Sequence, residues 1–404
     1  MLYRPETSAL GHAGGDHRQP DPGSIDLGRA QILFNTETIR PPVTGIGRYT
    51  LELGRALRLV AGQNVRFHPV DPESNWPVGG AKGGARARAL ARRVPGAHLA
   101  MDRLRAARFA RHNRRAAFAL YHEPNYLVRR FDGHCVVTVH DLSHLRYPQY
   151  HAKRSVKFLA ARLPRSLERA DRIVVPTAFV RDELHDLFDV PPDRVRVVPE
   201  GVSARAARIS KAEAVSVLRP LGLAWDGYIL SVGTREPRKN LASLVAAYEQ
   251  LPEPVRARFP LVIVGPKGWS HDETDRRIER LQRKGQVRAL GYVDDRALQA
   301  LYAGASVFAY LSWYEGFGLP PLEAMAAGAP VVTSTAEALV EVTGGAALHA
   351  LPGDVDQISA TLRRLLDDRA MRQELSSRGR QHAKSFSWTR TATDTLAVYG
   401  ELIA

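Results

Sequence analysis

Short apolar runs alternate along this chain with longer amphipathic stretches. AQILFNT (30–36), VRFHPV (65–70), FALYHEP (118–124), CVVTVHD (135–141), DRIVVPT (171–177) and VRVVPEG (195–201) are brief, apolar and closed by polar or turn-forming residues. Runs of that length and composition predict buried strands. Between them, TGIGRYTLELGRALRLV (44–60), SVKFLAARLPRSLERA (155–170) and AFVRDELHDLF (178–188) space their apolar residues as helices do. In the first of these, Leu51, Leu53, Leu57 and Val60 share one side. The pattern restarts near Ala206 with YILSVGT (228–234), LVIVGPKG (261–268), VRALGY (287–292), VFAYLS (307–312), PVVTS (330–334) and AALHALP (346–352), again with helical stretches such as LASLVAAYEQL (241–251) between. Strand–helix alternation predicts parallel sheets with right-handed crossovers. The expected architecture is α/β, built from two Rossmann-like units.

Ligands of open α/β sheets bind beyond the carboxyl ends of the strands, so the polar strand ends are where chemistry is expected. The stretch YEGFGLPPLE (314–323) follows one strand and opens a helix after Pro320-Pro321. Proline suits a helix's first turn. Glu315 falls on the loop and Glu323 in the first helical turn, with Gly316 and Gly318 allowing a tight bend close to a ligand. Free N–H groups at a helix start favour an anion. A phosphate flanked by two carboxylates fits this pattern; so does a plain helix start with acids in its first turn. VGTREPRKNL (232–241) joins another strand end to a helix and carries Arg235, Arg238 and Lys239, which suit a diphosphate or a solvated turn. Gly45 and Gly47 form a glycine turn ahead of the first helix, explained equally by ligand approach or by helix packing. His140 and Asp141 leave one buried strand, and His122 and Glu123 finish a neighbouring one. Each histidine is read either as a cleft residue or as a structural one.

These residues resemble the retaining glycosyltransferases of family 4, which have the GT-B architecture of two Rossmann-like domains facing across a cleft. The resemblance runs from about Gln31 to the C-terminus. It is carried by E-x7-E at Glu315 and Glu323, by GFGLPPLEAMAAGAPVV, by LYAGASVFAYLS before it, by PRKN, and by VPEGV (198–202). It implies that Lys239, helped by Arg238, holds the donor diphosphate, with Thr234 and Arg235 beside them. The amides around Gly316, Phe317, Gly318 and Leu319 would meet the distal phosphate and sugar. Glu315 would bind donor-sugar hydroxyls and Glu323 the ribose. Gly45 and Gly47 would close over the phosphates, and Gly291, Tyr292 and Val293 would lie near the base. His140 would stabilise the reacting centre through its side chain or its carbonyl, with His122, Glu123 and Asp141 on the acceptor side. Many relatives place Arg directly after the strand-end Gly, whereas this chain has Gly233-Thr234, leaving Arg235 or Arg238 to supply that charge.

The GTREPRKN form is similar to bacterial mannosyltransferases of O-antigen or exopolysaccharide assembly. That likeness implies transfer of mannose from GDP-mannose to a lipid-linked saccharide, with no metal and no cofactor beyond the substrate. It also implies domains at 29–205 and 206–386, preceded by a disordered extension (1–28) and followed by a C-terminal helix (387–404) packing back on the N-terminal domain. A nucleotide-sugar epimerase would share the architecture but not the ordered E-x7-E block.

Composition narrows the setting. The chain has 404 residues, beyond the size at which a single core stops growing. It shows no apolar run of membrane-spanning length, and its polar N-terminus lacks a signal-peptide core. The single cysteine, Cys135, excludes an intrachain disulfide framework and suits a reducing cytoplasm. The net charge of +15 is concentrated: residues 82–115 carry ten arginines and one lysine against Asp102. An anionic membrane face is the expected partner, with Leu90, Val94, Leu99, Met101, Leu104 and Phe109 as apolar contacts. A solvated Arg-rich helix fits the same residues. A nucleic-acid-binding protein would explain that run but not the motifs of the second unit.

Overall fold

The computed structural model describes residues 29–39, 43, 45–69, 71–72, 109, 118–203, 209–268 and 272–403. The extension 1–28 lies outside them, as does the Arg-rich run 82–115 except Phe109. Phe109 is no surface contact. It is buried against Tyr121, ring centroids 4.8 Å apart, in the core of the first half.

Two six-stranded sheets, parallel throughout, form the frame. The first holds β1 (Ile32–Asn35), β2 (Val65–His68), β3 (Leu120–Glu123), β4 (His134–Thr138), β5 (Arg172–Val175) and β6 (Val195–Val197), in the order β2-β1-β3-β4-β5-β6. The second holds β7 (Ile229–Val232), β8 (Leu261–Val264), β9 (Val287–Gly291), β10 (Val307–Tyr310), β11 (Val331–Ser334) and β12 (Leu348–Ala350), in the order β12-β11-β10-β7-β8-β9. The order reverses between β1 and β3 in one sheet and between β7 and β10 in the other. A crevice opens at such reversals, because the flanking helices leave to opposite faces.

Each sheet is covered on both faces, which is why its strands read as continuous apolar runs. Alternate residues of β7, β8 and β10 divide between two cores: Leu230, Val262 and Phe308 on one face, Ile229, Leu261 and Val307 on the other. Every one of these is buried, worth about 1.5–3 kcal/mol for a large aliphatic side chain. The helix Ile46–Ala61 buries Tyr49, Leu53 and Leu57, but Val60 is 43% exposed, so the apolar stripe is narrower than its spacing suggests. The last helix, Trp388–Ile403, leaves the second half and packs on that same helix. Trp388, Leu396 and Tyr399 complete a core of the first sheet, and the Tyr49 and Trp388 rings meet at 5.9 Å.

Candidate active site

The carboxyl ends of β7 and β10 are adjacent at the reversal point of the second sheet. The loop after β7 makes one tight turn at Pro237–Lys239 and enters the next helix through Asn240, which takes a left-handed conformation (φ 54°). Asn240 is buried, and its amide donates to the Leu311 carbonyl at 3.0 Å and the Pro352 carbonyl at 2.5 Å. The Trp313 amide donates to the Arg238 carbonyl at 2.9 Å. These bonds staple the PRKN turn to the loop after β10 and fix its cations against Glu315.

Glu315 is 7% exposed and fully engaged. Oε1 accepts from Lys239 Nζ at 2.6 Å and from the Tyr310 hydroxyl at 3.0 Å; Oε2 accepts from Arg238 Nη1 at 3.1 Å. Burial alone would raise this carboxyl, but Arg238 and Lys239 more than offset it and hold it at about 2. Burial, reinforced by the Arg238 charge, pulls the Lys239 ammonium below its ordinary range. Lys239 also donates to Tyr310 at 2.7 Å, and Arg238 reaches Glu236 at 3.0 Å. Two cations and a carboxylate thus sit beside glycine-rich backbone, an arrangement that can accept an anionic group. Of the two arginines, Arg238 occupies this cluster. Arg235 instead pairs with Asp275 at 3.4 Å, and Thr234 spends its carbonyl on the Glu236 amide at 2.8 Å.

The loop then turns at Gly318 (φ 106°), the cap of the helix Leu319–Ala327. This helix starts at Leu319, ahead of the prolines, so Glu323 lies in its second turn and not its first. Its carboxylate accepts from the Tyr302 hydroxyl at 3.0 Å, and burial raises it against the pull of Arg48. Phe317 is 4% exposed and packs edge-on to Phe386. Only its backbone can face a ligand.

The first half closes against this loop. A Cβ on Gly316 would overlap the His140 carbonyl oxygen and press on the Asp141 side chain. Thr177 Oγ1 donates to the Gly316 carbonyl at 2.9 Å. The His140 ring turns the other way: Nδ1 lies 3.1 Å from Glu200 and Nε2 2.9 Å from the Pro124 carbonyl. Of the two options open for His140, the carbonyl is the one that faces the glycine loop. Asp141 accepts from Tyr126 and Ser143; burial would raise it, but Arg238 across the crevice and the Ser143 bonds hold it low.

The family model for Glycosyltransferase Family 4 matches residues 43–205, and that for Glycosyl transferases group 1 matches residues 225–382. The O-antigen chain mannosyltransferase B of Escherichia coli is 41% identical over 386 residues, covering 91% of this chain and 99% of that protein. The chain belongs to glycosyltransferase family 4. A serotype-specific mannosyltransferase WbdA of Escherichia coli is 34% identical over 231 residues, 56% of this chain and 28% of that longer one. The fold matches sucrose-phosphate synthase from Thermosynechococcus elongatus (TM-score 0.70, 23% identity, 93% of this chain and 99% of that one). It also matches WaaG, a glycosyltransferase involved in lipopolysaccharide biosynthesis (TM-score 0.69, 17% identity, 91% and 99%). The choice between transferase, epimerase and nucleic-acid-binding protein is thereby answered at the level of class: the chain is a glycosyltransferase.

Other residues marked in the sequence of this glycosyltransferase fall in three places. Gly45 (φ 50°) caps the helix Ile46–Ala61, and Gly47 packs against the Thr38 carbonyl. Gly291 ends β9, and Tyr292 and Val293 follow it: Tyr292 is 55% exposed and Val293 packs on the second half's core. Glu123 lies at the other reversal point, accepting from Asn35 and the Tyr121 hydroxyl, each at 2.6 Å, and burial pushes it up to about 7. His122, beside it in sequence, is wholly buried between the Tyr399 hydroxyl at 2.6 Å and Thr138 Oγ1 at 2.8 Å, and burial pulls it down to about 3. Sequence reasoning gave no role to Tyr310, Glu200 or Arg48. Tyr310 ends the strand before the acidic motif and Glu200 sits inside VPEGV, so both were within reach of the motifs. Arg48 bridges the halves by pairing with Asp295 at 2.6 Å, a contact only the fold reveals. A cavity of about 610 Å³ bounded by Lys211, Trp225, Arg258 and Arg369 lies toward the amino ends of β7 and β8, away from this site. No helix among the described residues is long and apolar enough to cross a membrane. No group of three or more His, Cys, Asp or Glu among them is placed to hold a metal.

Proposed function

We propose that this glycosyltransferase moves mannose from GDP-mannose to a lipid-linked saccharide in bacterial surface polysaccharide assembly, retaining the anomeric configuration. The observation that carries the sugar and the setting is the near full-length similarity to the Escherichia coli O-antigen chain mannosyltransferase B. The geometry supports a diphosphate leaving group. Lys239 and Arg238 are fixed side by side at the carboxyl ends of β7 and β10, against Glu315 and the glycine loop whose amides, Gly316 to Leu319, precede the two prolines of the helix Leu319–Ala327.

In this reading the bond from the sugar C1 to the diphosphate oxygen breaks as Lys239, Arg238 and those amides stabilise the charge that builds up. The acceptor hydroxyl attacks on the same face. Its oxygen bonds to C1 and its proton passes to the departing diphosphate oxygen. The His140 carbonyl, pointing at the glycine loop, supports positive charge developing on the sugar. Glu315 orients the donor hydroxyls and holds Lys239 in place, and Glu323 takes the ribose. Glu123 and Asp141 lie on the acceptor side. Neutralisation by side chains and loop amides needs no metal and no further cofactor. Residues 82–115 supply an anionic-membrane contact on the cytoplasmic face.

Lys239→Ala should cut transfer by about a hundredfold or more, the scale of losing a charge-stabilising donor, with far-UV circular dichroism unchanged. Wild-type turnover in that variant would remove the diphosphate assignment. Thermal shifts with GDP-, UDP- and ADP-sugars test the base. Flotation with anionic against neutral liposomes tests the membrane contact.

A further inference from the structure

Tyr314 belongs to the second half by sequence and to the first by its contacts. It directly precedes Glu315 and is 4% exposed. Its hydroxyl accepts from the Leu142 amide at 2.9 Å and donates to Glu183 Oε2. Glu183 is itself buried, and Arg146 Nε holds its other oxygen at 2.7 Å. The ring lies near Tyr147 and Phe179, with centroids 5.6 Å away in each case. All these partners come from the first half. On the other side, the Tyr314 carbonyl accepts from Arg238 Nη1 at 2.7 Å. One residue therefore touches both the cationic cluster and the opposite half.

Neighbouring contacts lead to the same place. Thr177 caps the helix Ala178–Phe188 and donates to the Gly316 carbonyl. Glu341 of the second half accepts from the Ala178 amide at 2.8 Å and the Phe179 amide at 3.0 Å. The start of that helix is a seat for the second half, and the ring of Tyr314 lies beside it, against Phe179.

We infer that Tyr314 is a positioning residue for sugar transfer: seating its phenol between Leu142 and Glu183 closes the halves and sets Glu315 and Lys239 against the His140 carbonyl. The inference rests on the proposed donor role of Lys239 and Glu315. A site that closes on its substrate must reopen to release product. The seat suits that demand. In the open state water satisfies Glu183, the Leu142 amide and the phenol, so the net gain on closing is modest and reversible. The cationic cluster is assembled wholly from β7, β10 and their loops, so it survives opening.

The test is Tyr314→Phe in the full chain, which keeps the ring and loses both hydroxyl bonds. Expected results are kcat down roughly tenfold, a GDP Kd within about threefold of wild type, and a larger radius of gyration by small-angle scattering with GDP bound. Glu183→Gln, which retains an acceptor, should shift each quantity the same way by less. Wild-type kcat and wild-type scattering in both variants would overturn the inference. So would a GDP affinity that falls in step with kcat, since Tyr314 would then act inside the donor half. The scattering readout does not depend on donor chemistry, so normal turnover in Lys239→Ala would sink the donor assignment while leaving closure by Tyr314 measurable.

Discussion

Replacing Glu315 by Gln isolates what its charge does. The side chain keeps its shape but can no longer balance Lys239 and Arg238, which sit 2.6 and 3.1 Å from its oxygens. Those cations take the carboxyl from 4.5 to about 2, against the upward push of burial. At about 1.4 kcal/mol per pH unit this corresponds to roughly 3 kcal/mol of folding free energy. The sign is that of a depressed acid: the contribution is complete above pH 4.5 and is lost as pH falls from there to about 2. Removing one partner of a buried pair costs about 3–5 kcal/mol by independent reasoning, because the remaining charge is stranded. Glu236 still faces Arg238 at 3.0 Å, which favours the lower end of that range. At pH 7.5 the urea midpoint of Glu315→Gln should therefore fall well below wild type. Adding GDP or inorganic pyrophosphate should stabilise the variant more than the wild type, since the anion meets Lys239 without its counter-charge and Arg238 with one carboxylate fewer. Equal midpoints, or equal stabilisation by the diphosphate, would refute the claim that Glu315 is the counter-charge of a diphosphate site.

Tyr399→Phe leaves His122 Nδ1 without its partner inside the core and should cost about 1–3 kcal/mol, read as a lower Tm and faster proteolysis of the last helix. His122 is neutral in the fold and charges in the unfolded chain, its value dropping from 6.5 to about 3. Its contribution to stability should thus be complete above pH 6.5 and decline as pH falls from 6.5 toward 3, by up to about 1.4 kcal/mol per pH unit. Glu123, raised from 4.5 to about 7, acts with the opposite sign in the same window. Urea melts of Glu123→Gln at pH 7 and pH 5 therefore check the His122 contribution, and a flat profile in that variant contradicts it. Gly316→Ala puts a methyl group into the His140 carbonyl, so transfer should fall at least about tenfold while GDP binding persists. Unchanged transfer would mean that the two loops need not approach so closely.

Much of the fold was legible because parallel strands covered on both faces advertise themselves. Eleven of the twelve strands fall inside the apolar runs read from sequence, with ends trimmed by up to four residues, and β4 starts one residue ahead of its run at His134. The trimming has a common cause: the flanking polar residues leave the ladder to build loops, as Gly233 and Thr234 do after β7. The helix Ala178–Phe188 was legible to the residue because Thr177 caps it, accepting from the Val180 amide. What periodicity misjudged was exposure. Val60 follows the helical stripe yet is 43% exposed among the described residues. Phe317 stands in a glycine loop yet is buried, because Phe386, far along the chain, comes to meet it.

The same distinction governs the site. Its residue types lay in the motifs, but their pairings span long stretches of chain: 76 positions from Lys239 to Glu315, 60 from His140 to Glu200, 277 from His122 to Tyr399. Local patterning carries no information about such partners, so His122 and His140 look alike as strand-end histidines while one is a core strut and the other presents its carbonyl to the crevice. The two glutamates of the acidic block make the point most sharply. In sequence they are equivalent ends of one motif. In the fold, two cations hold Glu315 ionised, whereas burial pushes Glu323 upward against the weaker pull of Arg48 and a tyrosine hydroxyl. Carboxylates driven apart in this way take different tasks. Glu315 can serve as a fixed charge that sets the geometry of Lys239 and Arg238. Glu323, with its Tyr302 bond and only the weaker pull of Arg48, is suited to exchange hydrogen bonds with a neutral hydroxyl.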